Sequence, residues 1–136
     1  MTPSFARPLI LLALVLGGCA PPAVAAPAPG AAPTAHRGDR IAITFVSDRQ
    51  HNGPSRWFDS LNRPRQQTDT VLPAQSSTTR LWTSSLVYTA QRPAQRLTST
   101  FTTGGGFARC VVLVNDKVRD AKTVAGKGAR VTCAPG

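Results

Sequence analysis

Two cysteines near the C-terminus carry the clearest chemistry in the sequence. Cys110 lies in phase with Val112 and Val114 in an apolar segment, and Cys133 lies in phase with Val131 in a later one. Because alternate residues of a strand point to the same face, both sulfurs are predicted to face a core. In an oxidising compartment they would form a disulfide worth about 3 to 3.5 kcal/mol of loop entropy. Two buried free thiols are the alternative.

The geometry of a disulfide restricts how the last strands can be arranged. Bonded cysteines have Cα atoms about 4.4 to 6.8 Å apart. In a simple meander of three strands, Cys133 would lie towards the far end from Cys110. The last strand must therefore be strongly staggered, or it must change partners and run antiparallel to the strand of Cys110. We expect the second arrangement, as in a Greek key.

The other reactive side chains predict no catalytic, cofactor or metal site. A hydrolase needs a nucleophile, a base and an orienting acid in contact. A triad could be assembled only from His51, Asp48 and one of the serines. The chain has no Glu and only two His, and the other histidine, His36, lies in the predicted tether. The glycine run at residues 104–106 lacks the Lys-Ser/Thr and the helix start of a phosphate loop. No ligand spacing links the histidines to the cysteines. We expect a protein that is not an enzyme.

The N-terminus has the pattern of an export signal. Arg7 precedes an apolar run at residues 9–16, which is closed by Gly17, Gly18 and Cys19. This ending resembles the bacterial lipobox, which implies that residues 1–18 are a lipoprotein signal peptide and that Cys19 is lipidated. The alternative is ordinary cleavage after residues 23–25. Lipidation is favoured because it leaves an even number of cysteines in the exported chain.

The next segment is almost entirely Ala and Pro. Its composition cannot supply a core and favours an extended spacer. We predict that residues 19–39 are a lipidated Cys and a disordered tether, and that residues 40–134 form the folded domain.

The folded domain is predicted to be all-β. Thirteen of the 16 cations are Arg and Glu is absent, which argues against a helix-rich fold. Short alternating or Thr-rich segments recur between turn residues. They predict an immunoglobulin-like β-sandwich of about seven or eight short antiparallel strands. Nine segments are candidates for these strands: residues 41–45, 56–59, 66–72, 78–83, 86–90, 97–102, 107–114, 118–122 and 129–133.

A basic and aromatic segment is the candidate binding surface. The net charge is +10, and Trp57 and Phe58 cannot both face inwards on a regular strand. One of these rings is therefore expected to be partly exposed. The candidate surface consists of Arg56, Trp57, Phe58, Arg63 and Arg65. Anionic lipid headgroups or an acidic partner would suit it, and export argues against nucleic acid. The alternative is that the arginines only solvate the surface.

The C-terminal motifs resemble one known family. Gly104 to Gly106, Cys110, the strand at 111–114, the turn at 115–118 and the closing segment at 131–133 are similar to the C-terminal half of the mycobacterial membrane protein small family, MmpS. Residues 43–45 and 71–73 match its first strand and its Leu-Pro step. The resemblance implies an extracytoplasmic β-sandwich, without enzymatic activity, that assists RND-type exporters of lipids or siderophores.

Together these features predict a protein anchored by lipid to the extracytoplasmic face of the cell membrane, in an actinobacterial envelope. It would serve as a transport accessory to an RND-type exporter. The alternative is an envelope lipoprotein that binds anionic lipid, cell-wall polymer or a protein partner without any transporter.

Overall fold

The computed structural model describes Gly18 and residues 34–135, and this part of the chain is an antiparallel β-sandwich without helices. Residues 1–17 of the predicted signal peptide, the predicted lipidation site Cys19 and most of the predicted tether lie outside the described residues. The strands are β1 Thr34–Ala35, β2 Arg40–Ser47, β3 His51–Asn52, β4 Ser55–Phe58, β5 Pro64–Gln67, β6 Thr70–Val71, β7 Ala74–Gln75, β8 Trp82–Thr89, β9 Gln95–Arg96, β10 Ser99–Thr102, β11 Phe107–Val114, β12 Lys117–Ala125 and β13 Arg130–Cys133.

Two sheets form the layers of the sandwich. One has five strands in the order β12-β11-β2-β8-β7, and the other has four in the order β13-β10-β4-β5. The short strands β1 and β9 form one further pair, and β3 and β6 form another. Eight of the described strands have four or more residues, so the predicted all-β sandwich of about seven or eight antiparallel strands is confirmed.

The core lies between the two sheets because alternate side chains of β2, β10, β11 and β13 point inwards. Ile41, Ile43 and Phe101 are completely buried. The rings of Phe45 and Phe101 stack across the core with their centroids 5.1 Å apart. This aromatic pair joins β2 of one sheet to β10 of the other.

A disulfide between Cys110 and Cys133 also joins the two sheets. Its Cα atoms are 6.1 Å apart and both residues are fully buried. The last strand leaves the β11–β12 hairpin and enters the opposite sheet, where β13 pairs antiparallel with β10, so the predicted change of partner is confirmed. The predicted antiparallel course relative to β11 is wrong. Gly128 N donates to Gly105 O just before β11, and Ala134 N donates to Asp120, which pairs with Val112, so β13 crosses to the other layer and runs in the same direction as β11. The bond therefore links layers rather than neighbouring strands.

The folded domain begins earlier than the predicted boundary at residue 40. Thr34 and Ala35 pair with Arg96 and Gln95, and Ala35 is buried in the core. Alanine is common both in extended tethers and in buried strands. The composition of this segment therefore does not show where the folded domain begins. At the other end, Pro135 is buried as well, one residue beyond the predicted end.

The glycine run closes one end of the sandwich. Asn52 Oδ1 accepts a hydrogen bond from Gly104 N at 2.9 Å, and the carboxylate of Asp48 accepts one from Gly106 N at 3.2 Å. A Cβ on Gly104 would overlap the backbone oxygen of His51. The run is thus a tightly packed strand connection, and it needs glycine at position 104, where it approaches the backbone of His51.

We expect Gly104→Ala to lower the free energy of unfolding by about 1 to 3 kcal/mol, because a backbone atom must move to admit the methyl group. Gly106→Ala is the matched control, since the nearest atom to its added Cβ would be Asp48 Oδ2 at 3.8 Å. Urea unfolding of both variants measures the difference. Equal stabilities would contradict the packing described for this run.

Candidate functional site: a basic and aromatic groove

A groove of about 500 Å³ lies on the outer side of the four-stranded sheet. The β4–β5 hairpin forms one wall, in which Arg56 is opposite Gln66 and Phe58 is opposite Pro64. Residues directly across an antiparallel pair point to the same face. Arg56, Phe58, Pro64 and Gln66 therefore project from this hairpin on the solvent side.

The strands next to the hairpin supply the rest of the groove. Thr100 lies directly opposite Arg56. Arg130, on the far side of β10, is opposite Thr102. A smaller depression of about 140 Å³ shares Arg56, Gln66, Thr100 and Arg130 with the groove. The two concavities thus form one continuous surface over β10, with an arginine on each side.

The structure brings together most of the predicted surface. Arg56, Trp57, Phe58 and Arg65 all line the groove, but only Arg56 and Phe58 project from its outer face, since Trp57 and Arg65 are opposite each other on the other face of the hairpin. The side chains of Trp57 and Phe58 alternate, as expected for neighbours on a strand: Trp57 packs against the core, and Phe58 lies on the outer face.

Arg63 is the predicted surface residue that does not line the groove. It lies in the turn between β4 and β5, where its Nη2 forms a salt bridge with Asp59 Oδ2 at 3.1 Å. Burial alone would raise the pKa of Asp59. The backbone N–H and guanidinium of Arg63, with the N–H of Leu61, outweigh burial and hold that pKa below its ordinary value. Arg63 therefore stabilises the turn.

Two further arginines belong to the site. Arg130 lines the groove, and the guanidinium of Arg96 lies 5.5 Å from the centre of the Phe58 ring, a cation–π contact. The alternation of Arg130 with Val131 in the sequence shows that its side chain points outwards. Arg130 lies beside Thr102 and near Arg56 only because β13 joins the four-stranded sheet. The local sequence does not reveal this pairing.

Among the described residues, the arginines of the groove have no acidic partners. Within residues 34–135, neither Arg56, Arg65 nor Arg130 forms a salt bridge, and no acidic residue lines the groove. A guanidinium group without a salt bridge presents several N–H donors in a fixed planar arrangement, which matches phosphate and carboxylate oxygens. The groove can therefore bind an anion next to an aromatic ring.

The groove lies beside the first strand of the described domain. Thr34 pairs with Arg96 in the β1–β9 ladder. The backbone N–H of Arg96 donates to Asn62 Oδ1 at 2.9 Å, in the turn that connects β4 and β5. Arg96 thus connects the first described strand to the Phe58 end of the groove.

A second depression, of about 470 Å³, contains the residues considered for a hydrolase. Asp48, His51, Trp82 and Gly104 line it. Asp48 accepts hydrogen bonds from the glycine run, and no hydrogen bond joins the His51 side chain to Asp48 or to a serine among the described residues. In the same part of the chain no cluster of His, Cys, Asp or Glu has the geometry for a metal ion, and no helix is present that could span a membrane.

The hydroxyl of Tyr88 is buried near Asp59 and Gln95. Burial raises its pKa to about 12, the charge of Asp59 adds to the rise and the Gln95 side chain opposes it. Nevertheless, neither the Tyr88 hydroxyl nor Gln95 Oε1 has a hydrogen-bond partner within the described residues. The phenol is thus held neutral by its surroundings.

We expect the protein to lose stability between pH 10 and pH 12 because the Tyr88 phenol ionises first in the unfolded chain. A pKa raised in the folded state stabilises the fold below pH 10, and this contribution is lost as the pH rises to 12. Tyr88→Phe should remove this alkaline loss, since the variant has no phenol to ionise. Urea midpoints at both pH values test this. Tyr88 is the chain's single tyrosine, so phenolate absorbance reports its ionisation directly. An equal alkaline loss in the variant would contradict the assignment.

The fold and the site together define a disulfide-linked β-sandwich with an open basic and aromatic groove. In comparisons with known proteins, no family model matches the chain and no curated protein matches it. The likeness to the MmpS family therefore rests on the sequence motifs described above.

Proposed function

We propose that this chain is a lipid-anchored, extracytoplasmic binding protein without enzymatic activity, which assists an RND-type exporter of lipids or siderophores. The observation that carries the binding role is the groove, where Arg56 and Arg130 lie near Phe58 and form no salt bridge within residues 34–135. A site of this composition suits recognition of an anion. A hydrolytic mechanism would need a nucleophile and base in contact.

The disulfide supports the extracytoplasmic location. Cys110 and Cys133 bond in the middle of the core, and structural disulfides persist in oxidising compartments. The apolar run before Cys19 supplies a route of export, and a diacylglyceryl group on Cys19 would hold the chain at the membrane. The Ala/Pro-rich segment would then set the distance between bilayer and domain.

The outer face of the five-stranded sheet supports a protein partner. Val118, Leu113, Ala42 and Val87 are cross-strand neighbours, so they form one row across four strands. Val87 and Val118 are 53% and 60% exposed. A contiguous exposed apolar surface is typical of protein contact sites. The MmpS-like motifs indicate an RND-type transporter as that partner.

The groove also favours a second candidate function. An envelope lipoprotein that binds anionic lipid, cell-wall polymer or a protein partner would need the same arginines and no transporter. Its ligand binding should weaken steeply with salt, since exposed charge interactions are screened within about 10 Å at 0.1 M ionic strength.

Cross-linking in native membranes separates the two candidates. A photoreactive side chain at position 87 should capture a large membrane transporter if the first proposal holds. The same group at Gln67, exposed on β5 of the opposite sheet, is the matched control and should not capture it. Recovery of the uncross-linked chain alone from both positions would overturn the transporter role and leave the second candidate.

A further inference from the structure

We propose that the groove binds one anionic amphiphile, with its acidic headgroup between Arg56 and Arg130 and its apolar chain along Phe58 and Pro64. This inference rests on the proposed binding function and names the ligand class and its orientation. It is independent of whether a transporter takes part.

The headgroup end is defined by two arginines that flank β10. Arg56 projects from β4 and Arg130 from β13, and both line the groove as well as the smaller depression beside it. Thr100 lies on the strand between them. An anion over β10 would therefore receive guanidinium N–H groups from both sides and a hydroxyl from below.

The apolar end is defined by the pair Phe58 and Pro64. These residues face each other across the β4–β5 hairpin, and they provide a ring face and a pyrrolidine surface with no hydrogen-bonding groups. The guanidinium of Arg96 lies over one face of the Phe58 ring. An alkyl chain is the ligand part that this surface accommodates without leaving a polar group unpaired.

The position of the two ends gives the ligand a direction. Phe58 contacts Arg96, which pairs with Thr34 at the start of the described domain. Arg130 pairs with Thr102, and the Thr102 N–H donates to Pro54 O, before the start of β4. The apolar end is therefore the one nearest the tether. In a chain anchored at Cys19, an amphiphile would lie with its tail towards the tether and its headgroup towards the start of β4.

The size of the groove favours a small ligand. About 500 Å³ lies in the range of pockets for single small molecules. The groove is open at the surface, so a longer alkyl chain can extend beyond Phe58 towards the tether.

Calorimetric titration of the mature chain carrying Cys19→Ser, to which no lipid is attached, tests the proposal. The probes are octyl phosphate, octanoate, inorganic phosphate and the uncharged octyl glucoside. Octyl phosphate or octanoate should bind at least about tenfold more tightly than inorganic phosphate or octyl glucoside, because only the first two satisfy both ends of the groove. The ratio of octyl phosphate to octanoate affinity distinguishes a phosphate from a carboxylate headgroup.

Variants assign the two ends separately. Arg56→Gln and Arg130→Gln should each weaken octyl phosphate binding about tenfold, the usual cost of losing a charged hydrogen bond. Phe58→Ala should weaken octyl phosphate and leave inorganic phosphate unchanged. Arg119→Gln, on β12 of the other sheet, removes the same charge away from the groove and should have no effect.

Three results would overturn the inference. They are octyl phosphate binding no tighter than octyl glucoside, an equal loss from Arg119→Gln and Arg56→Gln, and tight binding only of a long polyanion, which would assign the groove to a polymer. None of these results alters whether Cys19 is lipidated or position 87 cross-links. Conversely, a chain that is not anchored would still give the titration result, so the two proposals fail separately.

Discussion

Replacing Cys110 and Cys133 together by alanine should lower the free energy of unfolding by about 3 to 3.5 kcal/mol. The bond closes a loop between positions 23 residues apart and joins the two sheets, so its loss frees the unfolded chain and removes a covalent link through the core. Urea unfolding of the oxidised wild type and of the double variant measures the effect.

Reductant provides the control for the disulfide prediction. It should destabilise the wild type by a similar amount and leave the double variant unchanged, since the variant has no bond to break. A wild type that is indifferent to reductant in its unfolding transition would contradict a structural role for the bond.

Phe101→Ala should cost about 3 to 5 kcal/mol of unfolding free energy. The side chain is fully buried and stacks on Phe45, so truncation leaves a cavity between the sheets and removes an aromatic contact. Chemical denaturation of the variant measures the loss.

Phe58→Ala is the matched comparison for Phe101→Ala. Phe58 is only half-buried on the outer face of the same sheet, so its truncation should cost much less stability while still affecting ligand binding. Similar stabilities for the two variants would mean that the core is not where the structure places it.

The sequence predicts the sandwich well where alternation is uninterrupted. Ile41, Ile43 and Phe45 mark β2, and the apolar run before Asn115 marks β11. The phase of Cys110 and Cys133 is sufficient to predict their bond, because period-2 geometry places alternate residues on one face. These local patterns agree with the structure because each sheet buries one of its two faces, so that buried and exposed residues alternate along its strands.

Polar residues inside a long strand conceal it. β8 runs without interruption from Trp82 to Thr89, whereas the sequence predicts two segments separated by Ser84 and Ser85. Ser85 Oγ hydrogen-bonds Thr44 Oγ1 at 2.8 Å on the neighbouring strand. A serine that is paired across strands is compatible with the sheet, but its partner cannot be read from adjacent residues.

The candidate site is only partly accessible to sequence reasoning. Arg56 and Phe58 share a short strand, so their common outward face follows from alternation. Arg130 reaches the same surface only because β13 pairs with β10, and β10 pairs with β4. Pairings between strands distant in sequence determine which arginines line the groove. As a result, Arg130 lines it and the predicted residue Arg63 does not.

Intact-mass measurement of the protein extracted from its native membrane tests the central claim most directly, namely that the chain is exported, anchored at Cys19 and oxidised in its core. The predicted mass is that of a chain beginning at Cys19, increased by a diacylglyceryl group and reduced by the two hydrogens lost in the Cys110–Cys133 bond. A chain that retains residues 1–18 and has three alkylatable thiols would contradict the account.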